Sequence, residues 1–352
     1  MIKTDNITEK HIDEFSHILQ KLNRIDLHIE QYQSSYLDLL LLHKNYFLRI
    51  YTEILNEVLN KSSKRKKDIF LIDYGAGNGL LGLFAKFCGF GKIVQIDTSY
   101  GCNASQKILS QELNIPINEN ILGDFELLEK YASDPPDALV GTDVIEHIYD
   151  LNKFFSALQK LNNNIILVFT TASNDRNWWK KKKLMSVQHK DEWIGYNPEN
   201  GNESLLPFRE IRKNIISSQL PDIDESELEK LITHTRGLRK DDIIRSCKIF
   251  SDKNILPPLI DHPTNTCDPL SGSWTERFLS FSEYKKLFNS NGYTLFIKNG
   301  FYNNYQSGIR GRILYLANIL IKLLGKSGSV ISPFIVLTGT GILNNNKERS
   351  YP

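Results

Sequence analysis

The stretch Asp73-Tyr74-Gly75-Ala76-Gly77-Asn78-Gly79 sets three glycines at alternate positions behind a carboxylate. It follows the apolar run Ile69-Phe70-Leu71-Ile72 and precedes an apolar segment from Leu80 to Phe87. That order predicts a strand, a tight turn and a helix, which together seat a small anionic or zwitterionic ligand. With no Cβ, Gly75, Gly77 and Gly79 can take positive φ and let a ligand lie against the backbone. The N–H groups at the start of the following helix can hold a carboxylate or phosphate. Asp73, at the strand's end, can accept a hydrogen bond from an amine.

Two cofactor classes use such a turn. Gly77-x-Gly79-x-x-Gly82 fits the dinucleotide fingerprint, and Asp97 lies near the distance expected for a ribose contact. In that fingerprint the first glycine follows the strand almost directly, whereas here Gly75 already fills the first turn position. The pattern Asp-x-Gly-x-Gly-x-Gly instead resembles the first motif of class I S-adenosylmethionine-dependent methyltransferases. A glycine-rich turn with no ligand is the plain alternative.

Further features stand where the methyltransferase resemblance needs them. Asp97, followed by Thr98, ends the run Ile93-Val94-Gln95-Ile96-Asp97. A carboxylate there can accept from both ribose hydroxyls, or can merely cap a helix. In Gly123-Asp124-Phe125, Asp124 can accept from an adenine amino group and Phe125 can pack on the ring face, although Gly-Asp is also common in turns. Thr142-Asp143-Val144-Ile145-Glu146-His147-Ile148 follows the fourth apolar run. Open α/β sheets bind ligands beyond the strand ends where the strand order reverses. The Asp-x-Ile-Glu-His pattern resembles a motif of many small-molecule methyltransferases, including the quinone-biosynthesis type. The ending from Phe281-Ser282-Glu283-Tyr284 to Gly300-Phe301-Tyr302 resembles their C-terminal part. The resemblance covers roughly residues 65–172 and 280–341.

That resemblance implies S-adenosyl-L-methionine as cofactor. Asp73, Gly75, Gly77 and Gly79 would hold its amino-acid end, Asp97 and Thr98 the ribose, and Asp124 and Phe125 the adenine, with Thr142 nearby. Asp143 would line the methyl-transfer mouth. His147 would act as general base or would orient the acceptor with Glu146. A sulfonium already activates its methyl group, so the protein mainly aligns an incoming lone pair. A hydroxyl acceptor also needs its proton removed, a task that suits histidine. A histidine one turn into a helix equally serves to hydrogen-bond a loop.

These residues need a scaffold. Apolar runs at 69–73, 92–97, 137–142 and 165–171 read as buried parallel strands, with a weaker one at 119–123. Segments 80–88, 102–113 and 148–161 read as the helices between them, which predicts a parallel sheet covered on both faces. Residues 7–60 read as helices. The first places Ile12, Phe15, Ile18, Leu19, Leu22 and Ile25 on one face, and the second runs from Tyr36 to about Leu59 with Ser35 as N-cap. From about Ser173 to Ser280 the alternation stops, with helical patches near 208–219, 225–234 and 240–250. A structureless loop of that length does not fit a compact domain, so an inserted lid with its own helices is expected. A helix at Phe281–Asn291 and strands at Thr294–Tyr302 and Phe334–Thr340 close the pattern.

The expected fold is therefore α/β, a Rossmann-like, seven-stranded, mostly parallel sheet. It has an N-terminal helical region at 1–66, a cofactor-binding core at 67–172 and 280–352, and a lid at 173–279 between strands five and six. Within the lid, Arg236, Asn265, Trp274 and Arg277 are candidate acceptor contacts. The arginines can pair with a carboxylate or phosphate, and the tryptophan can stack on a ring. A polar network tying the lid together is the competing reading. His234, His262 and Cys267 lack metal-ligand spacing, so no metal is expected.

The composition narrows the partners. The chain has 352 residues, 41% hydrophobic and 24% charged, with a net charge of +2. That is a globular profile with no global bias toward nucleic acid. Cys88, Cys102, Cys247 and Cys267 are scattered without a Cys-x-x-Cys, as expected of reduced thiols in a cytoplasm. No signal region begins at Met1, and no stretch is long enough to span a bilayer. Trp178-Trp179 followed by four lysines reads as a helix with the tryptophans inward and the lysines in water. The apolar segment 313–324 is expected to pack on the sheet or on a second subunit of a homodimer, rather than on a membrane surface. The reading that unites these points is methyl transfer to oxygen or nitrogen of a small polar acceptor, such as a glycan, cell-envelope precursor or metabolite. Its rivals are an NAD-dependent oxidoreductase and a non-catalytic cofactor-binding scaffold.

Overall fold

A computed structural model describes residues 6–22, 29–195, 206–262 and 264–342. Ile25 of the first expected helix and Pro263 of the lid lie outside the described residues. The chain forms two compact units. One comprises Met1–Ile145, Leu151–Thr171 and Ser282–Pro352; the other comprises Glu146–Asp150 and Ala172–Phe281.

The first unit is built on a seven-stranded sheet of order β3-β2-β1-β4-β5-β7-β6. Its strands are β1 (Phe70–Tyr74), β2 (Lys92–Asp97), β3 (Glu119–Leu122), β4 (Ala138–Thr142), β5 (Ile166–Thr171), β6 (Tyr293–Asn299) and β7 (Ile335–Gly341). β1 to β5 run parallel, and β7 is inserted antiparallel between β5 and β6. All five residues of β1 and all six of β5 are buried, which explains their unbroken apolar runs: a parallel strand is covered on both faces. β1 and β4 are adjacent, with Asp73 opposite Val140. The strand order reverses there, so the chain ends after β1 and β4 open into one crevice.

Helices α4 (Leu80–Phe87), α5 (Tyr100–Glu112) and α6 (Leu151–Leu161) connect the parallel strands. The N-terminal region forms α1 (Glu9–Gln20), α2 (Gln31–Leu42) and α3 (Lys44–Lys61). The single second helix expected from Tyr36 to Leu59 is in fact two. His43, at φ −115°, leaves the helical region and serves both as the end of α2 and as the start of α3. Ser35 lies inside α2, whose N-cap is Glu30. Phe15 of α1, Ile54 and Val58 of α3, Phe84 of α4 and Leu71 of β1 share one core cluster.

The second unit carries α7 (Trp178–Trp193), α8 (Phe208–Gln219), α9 (Glu225–His234) and α10 (Lys240–Lys253). Ile216, Leu231, Ile232, Ile243 and Cys247 form a core of its own. At its centre Glu192 and Arg212 make a two-point ion pair, both side chains almost fully buried. The hydroxyl of Thr266 donates to the same carboxylate at 2.7 Å. The tryptophans of α7 do not turn inward: Trp178 is 57% and Trp179 74% exposed, while Leu184, Gln188 and Glu192 fill the buried side of the helix.

Back in the first unit, α11 (Phe281–Ser290) leads into β6, and α12 (Gly308–Leu323) joins β6 to β7. α12 does not bury its apolar residues on the sheet as expected. Its buried residues are Gly311, Asn318 and Ile321. Asn318 turns inward because its side-chain oxygen accepts from the Tyr302 N–H at 2.7 Å and its amide donates to the Tyr302 carbonyl at 3.0 Å.

Candidate functional site

The glycine turn at the end of β1 takes the conformation its composition predicts. Gly75, Gly77 and Gly79 have φ of 66°, 53° and 82°. A Cβ on Gly75 would come within 2.4 Å of Val144, and one on Gly79 within 2.7 Å of the buried Gln95 side chain. At Gly75 and Gly79 a side chain is thus excluded by both dihedral and space.

The turn is tied to β2. The N–H groups of Gly75 and Ala76 donate to the Ile96 carbonyl at 2.9 and 3.1 Å. Gly77 N–H donates to Asp97 Oδ2 at 2.9 Å, and Ser99 N–H to Asp97 Oδ1 at 2.9 Å. Asp73 Oδ2 in turn accepts the Gly82 N–H of α4 at 2.9 Å. The N–H groups expected to receive a ligand's carboxylate are therefore partly committed to the protein's own carboxylates.

Those two carboxylates define the electrostatics of the turn. Burial pushes Asp73 up from an ordinary 3.8 to about 7, against the Gly82 hydrogen bond, and the neighbouring Asp97 charge adds to the rise. Asp97 is also pushed up, by burial, against its bonds from Ser99 and Gly77. Two desolvated carboxylates in one place favour a cationic neighbour and oppose an anionic one. An ammonium group fits here; a pyrophosphate would meet both acids.

Asp124 follows β3 and accepts from the Tyr74 hydroxyl and from the Phe125 N–H, the latter at 2.7 Å. Phe125 packs edge-on against Phe154 with ring centroids 5.6 Å apart. Thr98 is exposed just past Asp97. Thr142 ends β4 opposite Thr170, and Asp143 N–H donates to the Thr170 carbonyl at 3.0 Å. Asp143 holds φ of 48° without being glycine, a conformation that costs energy and clusters at functional sites.

Helices α2 and α3 contribute residues that the motif reading did not single out. The side-chain amide of Asn78 donates to the Gln33 carbonyl of α2 at 3.0 Å. The ring of Tyr36 reaches within 3.4 Å of the position a Gly77 Cβ would occupy. On α3, burial raises the phenols of Tyr46 and Tyr51, and the charge of Asp143 raises both further; Tyr51 also feels Asp73. These tyrosines have no fixed spacing from the glycines, so no local pattern marks them.

In the second unit, His147 Nδ1 lies 2.7 Å from the Trp274 carbonyl. A carbonyl only accepts, so Nδ1 carries the proton, and in the neutral ring Nε2 is left as the acceptor. Glu146 is buried, and its backbone carbonyl accepts from Arg277 N–H at 3.3 Å. Trp274 is buried with its indole N–H donating to the Tyr149 carbonyl at 3.1 Å, and Arg277 lies 4.3 Å over its ring. Asn265 accepts from Phe278 N–H and donates to the Phe278 carbonyl, both at 3.1 Å. Arg236 donates to the Thr264 carbonyl at 2.6 Å and pairs with Glu192 at 3.9 Å.

Comparison with known proteins adds an independent line. A family model described as a methyltransferase domain matches residues 43–212, which begins at α3 rather than at β1. No curated protein sequence matches the chain. Among solved structures, a protein from Galdieria sulphuraria assigned as a sarcosine dimethylglycine methyltransferase is similar over 94% of this chain and 98% of its own, at 9% identity and TM-score 0.41. The mycolic acid cyclopropane synthase CmaA1 is similar over 95% and 98%, at 12% identity and TM-score 0.40. Geranyl diphosphate C-methyltransferase from Streptomyces coelicolor is similar over 84% and 76%, at 11% identity and TM-score 0.38. Likeness this distant carries no conclusion about substrate. Residues 43–212 thus match a methyltransferase domain, and the glycine turn with its paired carboxylates lies inside the matched part.

Proposed function

We propose that the chain transfers a methyl group to oxygen or nitrogen of a small polar acceptor, with a glycan, a cell-envelope precursor or another polar metabolite as the acceptor class. The observation that carries the cofactor half of this reading is the convergence of Asp73 and Asp97, both raised by burial, at a positive-φ glycine turn. Two acids at such a turn would favour the ammonium of an amino-acid tail over a pyrophosphate.

S-adenosylmethionine, when bound, supplies a methyl group already activated by its sulfonium. The protein's own residues bind and orient. Asp73 and the turn at Gly75, Gly77 and Gly79 would hold the methionine end. Asp97 and Thr98 would hold the ribose, Asp124 and Phe125 the adenine, and Thr142 and Asp143 the edge of the transfer mouth. Helices α2 and α3 would wall the same region with Tyr36, Tyr46 and Tyr51.

His147 stands five residues along the chain from Thr142. Its Nδ1–H bond to the Trp274 carbonyl fixes the tautomer in which Nε2 can take a proton from a hydroxyl acceptor. Glu146 would support the segment from its buried position. Arg236 and Arg277 would pair with an acceptor carboxylate or phosphate, while Asn265 and Trp274 shape the unit that carries them.

Titration calorimetry with S-adenosylmethionine and with NADH tests the cofactor half. Binding of the first and not the second is expected, and the reverse result would sink the reading. S-adenosylhomocysteine formation across a panel of polar acceptors tests the transfer itself. Tight cofactor binding with no turnover on any acceptor would favour a scaffold.

A further inference from the structure

Helix α12 wears its apolar residues on the outside. Ile309, Ile313, Leu316, Leu320 and Leu323 are 78, 60, 63, 47 and 78% exposed. Their spacing of four, three, four and three puts them on one face of the helix. Tyr315, Ile319 and Leu324 are exposed as well and broaden that face beyond the narrow seam of a two-helix contact. The inward side is held by the polar pairing of Asn318 with Tyr302, so the helix cannot roll its apolar face inward without breaking two hydrogen bonds.

The charge carried by the segment that bears this face has one sign. Between Glu283 and Glu348 the sequence carries eight lysines and arginines and no Asp or Glu. Arg310 and Arg312 flank the apolar stripe at its start, and Lys322 and Lys326 stand at its end, all of them exposed. Lys322 and Lys326 also line a cavity of about 490 Å³, together with Arg49, Lys298, Glu53 and Glu57.

We propose that α12 is an in-plane anchor that seats this unit on an anionic lipid surface. At 16 residues the helix is about 24 Å long, and no helix among the described residues is long and apolar enough to cross a membrane. It therefore lies on the surface, with its apolar face in the acyl boundary and its cations at the headgroups. The same charge argues against a second copy of the chain as the occupant. A two-fold contact would set the cationic flanks of two α12 helices against each other, and like charges across an interface oppose association. The lipid seat uses the outer face of α12 and does not depend on the methyl-transfer reading.

Flotation of the full chain with vesicles tests the proposal. The protein is expected to float with vesicles of phosphatidylcholine plus phosphatidylglycerol, to remain behind with phosphatidylcholine alone, and to be released by salt. Ile313→Glu with Leu316→Glu should abolish flotation, and Arg312→Gln should weaken it by about fivefold, the effect of one cation at such a surface. All three positions are exposed, and an unchanged circular dichroism spectrum confirms that the variants fold. Failure to float with anionic vesicles at low salt would overturn the proposal. So would an Arg312→Gln variant that binds as well as the parent, or a concentration-dependent dimer that Ile313→Glu disperses in a chain that never binds vesicles.

Discussion

Gly77 N–H donates to Asp97 Oδ2 at 2.9 Å, so the end of β2 fastens the turn that follows β1. One carboxylate thereby sets the shape of the turn and contributes to its negative charge. Shape and charge at this place cannot be varied independently.

Gly79→Ala should damage both stability and cofactor binding. The residue starts α4 at φ 82°, and an added Cβ would meet Gln95 at 2.7 Å. A left-handed alanine costs about 1–2 kcal/mol before any contact is counted. Thermal melting should show the loss without ligand, and calorimetry should show weaker S-adenosylmethionine binding. A variant with parental melting and affinity would contradict the turn geometry.

Asp73 makes stability depend on pH in an unusual direction. Its folded value, about 7, lies above its ordinary 3.8. The folded state therefore holds the proton more tightly than the unfolded chain does. The stabilising contribution is complete below the ordinary value and is lost as pH rises through about 7. Asp73→Asn should remove this slope, so the ligand-free variant should outlast the parent at pH 8 by a few degrees of melting temperature. Cofactor affinity should move the other way, rising with pH in the parent as the carboxylate ionises to meet an ammonium. Affinity that stays flat from pH 5 to pH 8 would remove Asp73 from ligand contact.

The buried Glu192–Arg212 pair is the weak point of the second unit. Arg212→Ala leaves the buried Glu192 carboxylate with only the Thr266 hydroxyl and the more distant Arg236, and should cost up to about 3–5 kcal/mol. Hydrogen exchange should then rise across α8, α9 and α10 while the sheet of the first unit stays protected. Replacing both partners by Leu and Met should cost less. Uniform loss of protection over both units would show that they do not unfold separately.

His147→Ala should lower kcat by roughly 10²–10⁴, the usual range for a general base, with cofactor affinity nearly unchanged. Turnover equal to the parent's would reduce the residue to its bond with Trp274.

The glycine turn and the strands around it were legible because their signals are local. Five buried residues in β1, three alternate glycines and Asp97 at the end of β2 lie within one βαβ unit, and burial on both faces leaves an apolar run that sequence displays directly. The surroundings were less legible because they depend on partners distant in sequence. Nothing near Tyr46 announces that Asp143 lies close by, and nothing near Arg212 announces Glu192. Apolar content also misled, both times in the same direction. Trp178 and Trp179 lie outward on α7, and the Ile313–Leu324 segment turns its apolar face to solvent, because Gln188, Glu192 and Asn318 found hydrogen-bonding partners inside. Hydrophobicity predicts burial only until a satisfied polar group takes the inner position.

One connection has a consequence for variation. Asn174 and Leu279 pair as neighbours in a parallel bridge, so the segment between them departs and returns at adjoining points. Its length can grow or shrink without altering the spacing of the strands that bear the glycine turn. An insert tethered at two adjoining points can be lengthened, trimmed or exchanged as one piece.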